Sequence, residues 1–116
     1  NADVAQLRAA VSLGAPVVEL HTGAYAHAGD EGDAVKFAAE LDRLAASARA
    51  GAGMGLEVHA GHGLTFENVS AVAALREIRE LNIGHFLIGE AIFDGLPATI
   101  ARMRDLMNKA RAEAKP

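Results

Sequence analysis

His62 stands between two glycines in Ala60-Gly61-His62-Gly63-Leu64, so a turn presents its imidazole with little side-chain cover. Imidazole gives or takes a proton near neutral pH, and a positioned general acid or base contributes about 10²–10⁴-fold to a rate. A second glycine-histidine pair, Gly84-His85, follows Leu81-Asn82-Ile83. A third polar tip is Glu19-Leu20-His21-Thr22-Gly23. Gly61, Gly63 and Gly89 would let main chain approach an anion, and backbone N–H groups near a helix N-terminus are a ready phosphate grip. Each feature has a plainer reading. His62 fits a hydrogen-bonded turn histidine and His85 a buried, satisfied one, and spacing alone leaves these alternatives open. His21, His59, His62 and His85 also suit a metal by residue type, since imidazole binds zinc and iron. No acidic residue joins them at metal-ligand spacing, and no metal is expected.

Such tips need elements to hold them. Asp3 is placed to cap a first helix carrying Val4, Leu7 and Val11, stopped at Gly14-Ala15-Pro16. Val17 to His21 reads as a strand. Its Glu19 and His21 either meet polar neighbours or point into a site, because a polar pair in a buried strand is otherwise costly. Gly23 to Gly32 reads as a small-residue loop, either a mobile lid or a solvated connection, with the connection slightly favoured. Asp33 is placed to cap a second helix, with Val35, Ala38, Leu41, Leu44, Ala45 and Ala48 as its apolar stripe and Gly51-Ala52-Gly53 as its end. Leu56 to Ala60 is the next expected strand. Thr65 or Asn68 caps a helix from Val69 to Leu81, and Ile83 to Ile88 is a third strand. A last helix starts near Gly95-Leu96-Pro97 and turns Leu96, Ile100, Met103 and Met107 inward. This alternation predicts parallel strands near 17–21, 56–60 and 83–88, within one domain over 1–116. Three strands alone leave both edges bare, so the architecture reads as incomplete.

The bulk properties narrow the class. The chain has 116 residues, 51% of them apolar, enough for one small core. Its net charge is −4 without a basic run, which argues against nucleic acid as a partner. The absence of cysteine excludes disulfides and thiolate metal sites. No apolar run approaches the roughly 20 residues of a membrane span. No signal peptide is visible, so a cytoplasmic protein without a membrane partner is expected. The chain opens at Asn1 without a methionine, as expected of a processed protein or a piece of a longer one.

Three blocks carry a resemblance. They are Glu19-Leu20-His21-Thr22-Gly23 with Tyr25-Ala26, Ala60-Gly61-His62-Gly63-Leu64-Thr65 with Asn68-Val69, and Glu80-Leu81-Asn82-Ile83-Gly84-His85 with Ile88-Gly89-Glu90-Ala91. In this order they resemble the C-terminal half of the pyridoxine 5′-phosphate synthase family, over essentially the whole chain. The resemblance implies an α/β fold, a parallel (β/α)₈ TIM-type barrel, of which the chain would hold the sixth, seventh and eighth strands. A complete barrel takes about 250 residues, so roughly half would be absent. It further implies a ring-closing, transferase-type enzyme of vitamin B6 biosynthesis. That enzyme condenses 1-deoxy-D-xylulose 5-phosphate with 3-amino-2-oxopropyl phosphate to pyridoxine 5′-phosphate, inorganic phosphate and water. It needs no cofactor and forms homo-oligomers. On the matching positions His62 would donate a proton and Glu19 would stabilise transition-state charge. Gly63, Gly84 and His85 would hold the phosphate of the amino-ketone. No role follows for His21 or His59. The family's other catalytic histidine and glutamate, and its sugar-phosphate site, have no counterpart here. The isolated 116 residues are therefore expected to be inactive. The alternative is a non-catalytic half-barrel that pairs with a second copy and at most binds phosphate.

Overall fold

The computed structural model describes residues 2–114. Its centre is a three-stranded parallel sheet in the order β1 (Val17–His21), β2 (Glu57–Gly61) and β3 (Ile78–Asn82). The register pairs Glu19 with His59 and His59 with Glu80, then His21 with Gly61 and Gly61 with Asn82. Alternation along each strand sorts the residues onto two faces. Leu20, Val58, Ala60 and Ile78 are buried beneath helices with Leu7, Leu44, Ala48 and Val72. The opposite face carries Glu19, His21, Glu57, His59, Glu80 and Asn82, all exposed but for the half-buried His59. Parallel sheets are normally covered on both faces; on this open face Glu19, His21 and Asn82 line a cavity.

The helices follow their caps. α1 (Val4–Ser12) begins at Asp3, whose Oδ1 accepts from the Ala5 N–H at 2.9 Å. Leu7 is buried, while Val4 and Val11 stay exposed. α3 (Ala34–Gly53) begins at Asp33, whose Oδ1 accepts from the Lys36 N–H at 2.9 Å. Its buried stripe is Leu44, Ala45, Ser47, Ala48 and Gly51, and the expected core residue Val35 lies in solvent. α6 (Leu96–Glu113) starts with Pro97 in its first turn. Met103 is buried and Met107 packs beside it, but Leu96 and Ile100 are exposed, contrary to expectation. Arg111 turns inward and donates to the carbonyls of Leu75 and Ile78. Among the described residues no helix is long and apolar enough to cross a membrane.

Two expectations are corrected. The segment Gly23 to Gly32 is not a loop: Gly23–Asp30 forms α2. Its glycines lie near its ends, while Tyr25, Ala26 and Ala28 are buried, and Tyr25 stacks on Phe37 with ring centroids 4.3 Å apart. Packing of one apolar face thus outweighs weak local propensity. The third strand is also not 83–88. The strand is Ile78–Asn82, the helix before it shrinks to α4 (Val69–Ala73), and His85–Asp94 is a helix, α5. The run from Ile83 to Phe93 is apolar enough to suit either state, a known ambiguity of short apolar stretches. Packing decides it, for Phe86 and Leu87 lie against Phe66 and Met103, while Ile88, Ile92 and Phe93 face solvent. Gly89 consequently sits inside a helix and is not a tip glycine.

Candidate active site

All three strands end at one cavity of about 620 Å³. Glu19, His62, Gly63, Gly84 and His85, the residues to which the resemblance gave roles, line it together with His21 and Asn82, whereas Gly61 and Gly89 do not. The Glu19 carboxylate comes from β1, and Asn82 from β3 donates to its Oε2 through Nδ2 at 2.6 Å. The two meet across β2 because Gly61 lies between them. A Cβ there would stand 3.1 Å from Glu19 Oε1 and 2.7 Å from the Asn82 carbonyl oxygen. A glycine inside a strand marks such a close approach.

His62 follows the end of β2 in a left-handed conformation, at φ 89°. For a residue with a side chain this costs on the order of 1–3 kcal/mol, and it persists only where the surroundings impose it. They do so through several hydrogen bonds. Thr22 Oγ1 donates to the His62 carbonyl at 2.6 Å. Asn68 Nδ2 donates to the Gly63 carbonyl at 3.1 Å, and Asn68 Oδ1 accepts from the Thr65 N–H at 2.8 Å. Tyr25 OH donates to the Asn68 carbonyl at 2.7 Å. Thr22, Tyr25 and Asn68 are the supports that reading by type and spacing missed. The available signal was weak: Tyr25 is the chain's sole tyrosine, and Asn68 stands three residues after Thr65.

Burial pushes the Tyr25 phenol up from 10.0 to about 12. The folded state therefore holds that proton more tightly than the unfolded chain. The sign is fixed: this contribution is fully present below about pH 10 and is lost as pH rises toward about 12, at a limit of ~3 kcal/mol. Urea midpoints measured from about pH 8 to about pH 11 should fall with pH, and Tyr25→Phe should flatten that fall. An equal fall in both proteins would refute the assignment.

Gly84 caps α5 without a side-chain bond, the first-turn N–H groups of a helix have no partner within it, and Gly84 and His85 both line the cavity. A helix terminus of this kind suits an anion. His59 lies further down the same sheet face, where Nε2 contacts Glu57 Oε1 at 2.8 Å and Nδ1 lies 3.6 Å from Glu80 Oε1. Among the described residues no group of three histidine, aspartate or glutamate side chains is arranged to hold a metal ion.

The sequence model of a family described as "Pyridoxal phosphate biosynthesis protein PdxJ" matches residues 1–109. The pyridoxine 5′-phosphate synthase of Zymomonas mobilis subsp. mobilis is 60% identical over 113 residues, covering 97% of this chain and 43% of that protein. The synthase of Caulobacter sp. (strain K31) is 58% identical over 113 residues, 97% of this chain and 45% of that protein. The synthase of Jannaschia sp. (strain CCS1) is 56% identical over 110 residues, 95% and 44% respectively. The chain thus spans less than half the length of the curated relatives it matches.

Proposed function

Because the chain belongs to the family described as pyridoxal phosphate biosynthesis protein PdxJ, we propose that it forms the last three strands of a (β/α)₈ barrel with pyridoxine 5′-phosphate synthase activity. The substrates are then 1-deoxy-D-xylulose 5-phosphate and 3-amino-2-oxopropyl phosphate, and the products are pyridoxine 5′-phosphate, inorganic phosphate and water. The observation that supports this most is the shared cavity at the strand ends, where barrel enzymes place their chemistry.

In this reading the start of α5 at Gly84 and His85, with Gly63 of the same cavity, holds the phosphate of the amino-ketone. The amine attacks a ketone, and departing water needs a proton, which the His62 imidazole supplies. The nitrogen becomes cationic as water leaves. Glu19, oriented by Asn82, places its carboxylate where that charge develops. No cofactor takes part, and the chain's own groups carry the proton transfers. The early strands must bring the second catalytic pair and the sugar-phosphate site. A cytoplasmic homo-oligomer is part of the proposal.

A second reading has one observation in its favour: β1 and β3 each leave an edge unpaired among the described residues. A non-catalytic half-barrel could close those edges on a second copy. A chimera separates the two readings, joining the N-terminal part of the Zymomonas mobilis synthase to this chain. It should make pyridoxine 5′-phosphate, and the 116 residues alone should not. Within the chimera, Glu19→Gln should lower kcat by about 10²–10³-fold and leave KM for the amino-ketone nearly constant. An inactive but folded chimera would count for the half-barrel. Full turnover in the Gln variant would remove Glu19 from its role.

A further inference from the structure

The roles above leave one contact of His62 unused: its ring stacks on that of His21. His21 and His62 lie with centroids 4.3 Å apart and planes 28° from parallel. The Gly23 N–H donates to His21 Nδ1 at 3.2 Å. A nitrogen that accepts carries no proton, so this contact selects the ring tautomer with its proton on Nε2. Gly23 lies against both rings, where a Cβ would come within 2.5 Å of His21 Cε1 and 3.3 Å of His62 Cδ2. The start of α2 is therefore shaped around the pair. Thr22 adds a second hold. Its hydroxyl donates to the His62 carbonyl, and its N–H donates to the Gly61 carbonyl at 2.8 Å. Thr22 is fully buried, so no water competes for that hydroxyl.

We infer that His21 and Thr22 are positioning residues for His62. Thr22 fixes the left-handed main chain, and His21 covers one face of the imidazole, whose remaining surface is left to the cavity. This inference rests on the reading of His62 as proton donor, and misplacement of such a group by about 1 Å can cost on the order of 10²-fold.

The test has one arm without turnover and one with it. Long-range ¹H–¹⁵N spectra of the labelled chain read the tautomer of each ring directly, and the same label is read in the chimera if the isolated chain gives collapsed spectra. His21 should show its proton on Nε2, and the His62 ring protons should be shifted upfield by their neighbour. Gly23→Ala, which displaces the His21 ring, should erase both signatures. In the chimera, Gly23→Ala and Thr22→Val should each lower kcat by ~10–100-fold with KM nearly constant, and Thr22→Ser should recover most of the loss. A purely structural role would instead lower the melting temperature and spare kcat. A proton on Nδ1 of His21, or a Thr22→Val enzyme with full kcat, overturns the inference. An inactive chimera defeats the functional reading alone, because the ring spectra still decide the geometry.

Discussion

Replacing His62 with asparagine in the chimera is expected to cut pyridoxine 5′-phosphate formation by about 10²–10⁴-fold, the span a lost general acid covers. Asparagine is the informative choice for a backbone reason. His62 sits at φ 89°, and asparagine is among the few residues with side chains that tolerate this region. The turn should therefore survive, with Thr22 still donating to the carbonyl of residue 62. The amide cannot deliver a proton as an imidazolium does. Phosphate gripped at the start of α5 does not touch the altered ring in the proposed scheme, so affinity for the amino-ketone phosphate should stay within about twofold. Product assays under saturating substrate, paired with ligand titration by calorimetry, check both halves. Undiminished turnover would take His62 out of the mechanism.

Gly63→Ala should be the most damaging small substitution to stability. Gly63 has φ 77°, where a Cβ costs roughly 1–2 kcal/mol. The new Cβ would also lie 2.7 Å from the Ala26 Cβ on α2, and forcing such a contact costs about 1–3 kcal/mol. Both penalties act on one turn, so a loss of ~2–5 kcal/mol is expected, or on the order of 10 °C in melting temperature. Gly89→Ala should move the other way. Gly89 lies inside α5, no atom stands within 4 Å of its would-be Cβ, and alanine in a helix interior gains about 0.5–1 kcal/mol. Calorimetric melting of the two variants side by side reads the contrast. Equal melting temperatures would contradict the turn geometry.

The same contrast shows where local pattern stops informing. Gly61-His62-Gly63 announces a turn, and Glu19 between Val18 and Leu20 announces a polar strand face, because glycine freedom and strand alternation are local properties. Asp3 and Asp33 were legible as caps for the same reason. Gly89 carries the same residue type as Gly63 and a different meaning, since only the packing of Phe86 and Leu87 makes its segment a helix. The helix α2 was hidden likewise, behind glycines that its buried Tyr25 overrules.

By itself, the amino-acid sequence determined the family, the parallel α/β character and the residues gathered at the cavity. Each of these rests on residue types in short, ordered blocks. Tertiary structure alone decided which side chains meet. Asn82 reaches Glu19 across 63 positions, Thr22 reaches His62 across 40, and Tyr25 reaches Asn68 across 43. Those bonds form because parallel strands return to the same end of the sheet, bringing residues together at separations no local periodicity encodes.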